Sequence, residues 1–187
     1  IRNVDGYYRQ DEEKEIPYLC YTALNYVQCT PQFVSFADHI EGEILEYVEP
    51  KVEDCFDQLR ENLKGDSYEV DFGETKNVNV ILSDKGVEVS IQRELTQSKA
   101  GKEESFESFE VEYRSSLYEI VKASEEIISQ ESKLCNSDYL EIMRGDTNLE
   151  IDKFQTGDDI KIYSVRDVNS DREFKFAIRT CVLETPK

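Results

Sequence analysis

The stretch VNVILSDKGVEVSIQREL, residues 78–95, alternates apolar and polar side chains on either side of a short turn. Val78, Val80 and Leu82 precede SDKG at 83–86, and Val87, Val89 and Ile91 follow it. A period of two marks a strand with one buried face, and a turn of that composition between two such strands predicts a β-hairpin. Outward from it, Val70 and Phe72 suggest a strand before the hairpin, and Phe109, Val111 and Tyr113 one after it. QSKAGKEES, residues 97–105, reads as a looser charged loop between the third and fourth strands, and the whole as an antiparallel meander.

The meander is flanked by helical periods. From Phe36 to Leu63 the apolar residues Ile40, Ile44, Leu45, Val48, Val52, Phe56 and Leu59 recur at helical spacing among acidic residues. Pro50 is expected to kink or divide this helix, and Gly65 to end it. A second helix is predicted from about Ser116 to Ser132, with Leu117, Ile120, Val121, Ser124, Ile127 and Ile128 on one face and a capping box from Ser116 to Glu119. NSDYLEIMRG after Cys135 can form a short helix. The chain then alternates around Leu149–Ile151, Ile160–Val165 and Phe174–Val182, with DVNSDRE at 167–173 as the last turn. The predicted fold class is α+β: an antiparallel β-sheet, meander plus C-terminal hairpin, covered on one face by two amphipathic helices. With 187 residues, the economical division is an extended tyrosine-rich N-terminal segment, 1–35, and a single α+β domain, 36–187.

Forty-one acidic against 22 basic residues give a net charge of −19. Such a chain repels phosphate backbones and anionic headgroups, so nucleic acid and direct membrane contact are not expected partners. Against this background residues 16–37 contain no charged side chain, yet are too polar for a membrane span. They hold Tyr18, Tyr21, Tyr26 and Phe33, with Tyr7 and Tyr8 just upstream. Aromatic, charge-poor surface is the material of interface cores, which makes Tyr18, Tyr21, Tyr26 and Phe33 interface candidates.

The five cysteines include no CxxC pair, and His39 is the single histidine, so neither a zinc site nor a Cys–His catalytic pair is supported. Disulfides account for them better and imply an oxidising compartment. Cys20 and Cys29 can close a short loop; alternatively each pairs with a thiol among Cys55, Cys135 and Cys181. Cys135 and Cys181 are the other disulfide candidates, and the odd count leaves one thiol over. Asp146, Asn148, Glu150 and Asp152 offer calcium-type oxygens at alternate positions, but Ile151 and Gly157 stand where an EF-hand loop needs its glycine and glutamate. They read as one solvated strand face. Asp158 and Asp159 near NSDRE are too common a pairing in so acidic a chain to define a cation site. No Gly-rich phosphate loop, GxSxG or HExxH occurs. No enzyme activity, cofactor or metal is therefore expected.

PYLCYTALNYVQCTP, HIEGEILEYVEPKVEDCFDQL, VNVILSDKGVEVSIQREL, FEVEYRSSLYEIVKASEEII and FKFAIRTC together resemble the C-terminal part of membrane-anchored surface proteins of small-genome archaea of the DPANN group. The resemblance covers most of residues 17–182 and rests on apolar and cysteine patterns. It implies an archaeal cell-surface location, a membrane anchor upstream, and a cysteine, Cys55, closing the first amphipathic helix. It carries no activity. The expectation is a non-catalytic extracellular or cell-surface domain that associates with copies of itself or with another surface protein, as part of an assembly or filament or as an adhesion module. The alternative is a ligand- or cation-binding sensory ectodomain.

Overall fold

The computed structural model describes residues 8–11, 14–156 and 160–181, with side chains from Ile16 onward. The expected α+β class is found: three helices and ten strands among the described residues, arranged in two sheets rather than one. The chain divides into two compact units, residues 40–115 and the remainder.

The unit of residues 40–115 holds the meander. β5 (Asn77–Ser83) and β6 (Gly86–Lys99) form the expected hairpin, Ser83 facing Gly86 across Asp84 and Lys85. Gly86 takes φ +127°, and a Cβ there would lie 2.2 Å from the Tyr113 carbonyl oxygen, so only glycine fits. β4 (Glu69–Phe72) pairs with the far end of β6, in line with β5, and β7 (Lys102–Tyr113) pairs along the length of β6. The expected loop at 97–105 is not a loop. β6 runs to Lys99 and β7 starts at Lys102, with Ala100 and Gly101 both at positive φ, 53° and 79°. Two left-handed residues match the twist of paired strands and make the tightest hairpin turn. Charge misled the expectation, since β7 has no buried residue and can carry glutamates throughout.

α1 (Phe36–Gly65) contributes Val52 and Phe56 to this unit's core, where Val78 is buried with them and Phe72, Val89, Ile91 and Phe109 pack around them. Pro50 lies inside α1 without dividing it. Pro50 is exposed, while Leu45 and Val48 before it and Val52 and Phe56 after it serve one core, which offsets the lost backbone hydrogen bond. The ladder of β6 is interrupted at Arg93 and Glu94. Buried Arg93 donates to the Gly73 carbonyl at 2.8 Å and to Glu53 at 2.8 Å, and stacks over Phe56.

The other unit is built on a sheet of order β1–β2–β10–β9–β8, with β3 (Thr30–Pro31) also on β2. β1 (Tyr8–Asp11) pairs antiparallel with β2 (Lys14–Tyr21). β8 (Leu149–Gln155), β9 (Ile160–Asp167) and β10 (Glu173–Arg179) form an antiparallel run, and β2 joins β10 in parallel. Residues 14–21 and 30–31 of the N-terminal segment thus take part in this unit's sheet. Tyr18, Leu19 and Cys20 are consecutive and all buried, as in a strand covered on both faces, which shows no alternation to read.

α2 (Leu117–Leu134) packs on β2, β3, β9 and β10 through Ile120, Val121, Ile127 and Ile128, and α3 (Tyr139–Gly145) packs on β8. The capping box at the start of α2 does not form. Ser116 makes no side-chain cap hydrogen bond. Asp138 caps α3 by accepting from the Glu141 N–H at 3.1 Å.

Candidate interaction surface and buried ionic cluster

Two features of this second unit carry chemistry: the cysteine-closed loop and a charged cluster beneath α2. Cys20 and Cys29 are disulfide-bonded, Cα atoms 5.4 Å apart, as are Cys135 and Cys181 at 5.5 Å. Cys55 is the free, exposed cysteine. Both cysteines of the first pair are buried, so the staple lies in the core while the loop stands out from it. The Cys29 N–H donates to Thr180 Oγ1 at 3.2 Å, and Gln28 Nε2 donates to the Lys133 carbonyl at 2.6 Å, which ties the end of the loop to the end of α2.

The candidate interface residues fare differently. Tyr18 is 9% exposed and belongs to a core cluster with Ile16, Ile162 and Ala177, so it offers no surface. Tyr21 is half-buried against that cluster, edge-on to Tyr18. Phe33 stacks on His39 and leans on Phe36. Tyr26 is 77% exposed, and Leu24, Val27 and Val34, which sequence reasoning did not single out, are exposed as well. Leu19, Phe33, Val34, Phe36 and Ile128 line an open groove of about 490 Å³, with Lys122 and Lys133 also along it. Glu125 in that groove accepts from the Phe36 and Ala37 N–H groups at 3.1 and 3.0 Å and so caps α1.

The buried cluster was not anticipated. Glu131, fully buried on α2, accepts from Lys161 Nζ at 2.6 Å and from the Tyr163 hydroxyl. Lys161 also donates to the Cys135 carbonyl at 2.6 Å. Cys135, in the left-handed conformation at φ 55°, ends α2 with its N–H on the Glu131 carbonyl. Lys153, cross-strand from Tyr163, lies 3.7 Å from Glu131 Oε1 and donates to Asn136 Oδ1 at 2.7 Å. Burial, reinforced by the nearby Lys161 charge, lowers the Lys153 pKa, while burial and Glu131 push the Tyr163 phenol well above its ordinary value.

Of the acidic stretch, Glu150 and Asp152 face Arg166 at 2.9 and 3.7 Å, and Asp146 accepts from the Asn148 N–H. Among the described residues no group of three or more His, Cys, Asp or Glu is placed to hold a metal ion, and no helix is long and apolar enough to cross a membrane. Tyr7, Asp158 and Asp159, the Tyr8 side chain and the strand end at Val182 lie outside what is described. No protein-family model, curated protein or solved structure matches the chain.

Proposed function

We propose that this chain is a non-catalytic, extracytoplasmic surface domain that works by protein–protein association, with other copies of itself as the first partner. The observation that carries the reading is the disulfide-closed loop, which presents Leu24, Tyr26 and Val27 to solvent from a segment without charged side chains. In a chain of net charge −19, this is a face on which two copies can meet without opposing carboxylates. The buried staple holds the loop in one shape, so less ordering entropy is lost on contact. The two disulfides fit a non-cytoplasmic location and, with the archaeal resemblance, support the surface placement.

Light scattering coupled to size exclusion, at several protein and salt concentrations, tests this. Association is expected to strengthen with salt as the acidic surfaces are screened, and to weaken in a Leu24→Ser, Tyr26→Ser double variant. A strict monomer under all conditions would overturn it. The groove supports a second reading, a ligand-binding ectodomain, because an apolar wall beside two lysines suits an apolar molecule with an anionic head. Concentration-dependent thermal stabilisation by a medium-chain carboxylate, lost in Lys133→Gln, would favour that reading.

A further inference from the structure

The contacts around Lys153 set its amine against a carboxamide, Asn136, and close to a buried carboxyl group, Glu131. Lys153 Nζ is 2.7 Å from Asn136 Oδ1 and 3.7 Å from Glu131 Oε1. We propose that this is a self-modification site, at which Lys153 and Asn136 become joined by an intramolecular amide bond with Glu131 as the catalytic proton carrier.

The three residues are held from different elements. Asn136 follows the left-handed turn that ends α2, Lys153 is on β8 and Glu131 is on α2. A hydrogen bond from Nζ to Oδ1 brings the amine close to the carboxamide carbon, the kind of approach that makes an intramolecular reaction fast. The Lys153 side chain is only 15% exposed, and its lowered pKa increases the share of free amine at a given pH. Lys161 on Oε2 and the Tyr163 hydroxyl on Oε1 fix the Glu131 carboxylate as positioning residues.

The step balances without a co-reactant. The ammonium first loses a proton to water. The Nζ lone pair then adds to Asn136 Cγ, forming the new C–N bond. Glu131 takes a proton from Nζ and passes it to the carboxamide nitrogen. The old C–N bond breaks and that nitrogen leaves as ammonia. The products are a secondary amide and one ammonia, with nothing oxidised or reduced. Lys161 is not the nucleophile, because its neighbours are a carboxylate and a backbone carbonyl, neither of which is a ready electrophile.

Intact-mass and tandem mass spectrometry of the reduced full chain, after incubation in mildly alkaline buffer, decide the matter. The expected mass is that of the sequence less one ammonia. Trypsin is expected to leave the chain uncut after Lys153 and to release a joined pair of peptides carrying residues 136 and 153. Asn136→Ala, at an exposed position, and Lys153→Arg, which keeps the charge beside Glu131 and is checked for folding by circular dichroism, are expected to return the full sequence mass. Asn136→Asp is expected to lose water in place of ammonia, and Glu131→Gln, if folded by circular dichroism, to stop or slow the loss. A parent at full mass after incubation overturns the proposal. So does an ammonia loss that persists in Lys153→Arg, the mark of Asn136 cyclising onto its own backbone, or a link found on Lys161.

Discussion

Glu131 occupies the position that continues the buried face of α2, three residues after Ile128 and four after Ile127. A charge on an apolar stripe is a legible anomaly, since helical spacing places it inside and burial then demands partners. The partners were not legible, because Lys161 and Tyr163 lie in β9, 30 and 32 residues away, and only the strand pairing brings them under α2. Asp167, at the end of β9, shows the same logic at a turn. Hydrogen bonds from the Ser170 hydroxyl and the Asn169 N–H hold its carboxyl below the usual range. A depressed folded pKa gives stability that is complete above the unfolded value, about 4, and is lost as pH falls through the lowered folded value. The melting temperature of Asp167→Asn is therefore expected to fall less steeply with acid than that of the parent. Glu53 and Glu173, lowered chiefly by Thr75 and Ser164, keep part of the slope in both proteins.

At the scale of elements, amphipathic pieces were readable and doubly buried or doubly exposed ones were not. α1, α2 and the β5–β6 hairpin each carry one apolar face, and the expected bounds lie close to those found. β2 is buried on both sides, and the first half of β7, Lys102 to Ser108, is exposed throughout, so neither shows the contrast on which a period depends. The spacing of Cys20 and Cys29 suggests a pair, with Cys55, Cys135 and Cys181 as alternative partners, but says nothing of their burial. That burial sets an expectation for Cys20→Ser, Cys29→Ser. Opening a loop of this length costs about 3 kcal/mol in the chain-entropy model, and two hydroxyls enter buried positions. The double variant is expected to lose several °C of melting temperature by scanning calorimetry, while Cys55→Ser, at an exposed position, is expected to change nothing measurable.

For the whole molecule, both disulfides fall in one unit. The continuous stretch 40–115 has its own helix, sheet and core and contains Cys55 alone among the cysteines. A fragment of residues 36–115 is expected to melt cooperatively, at a temperature indifferent to reductant, whereas the full chain shows a reductant-sensitive transition. A fragment without a sigmoidal melt would show that the stretch is not self-sufficient.

The parallel pairing of β2 with β10 has a further consequence for the order of assembly. A chain emerging N-terminus first presents β2 long before its neighbour, the last of the described strands to appear. Residues 40–115 can complete their contacts meanwhile, but the first-made strand must wait, its unpaired edge open to other chains. Cys20 meets Cys29 nine residues on and can close at once, ahead of Cys55. The early staple would thus keep the waiting segment from the wrong thiol until β10 arrives and Cys135 finds Cys181.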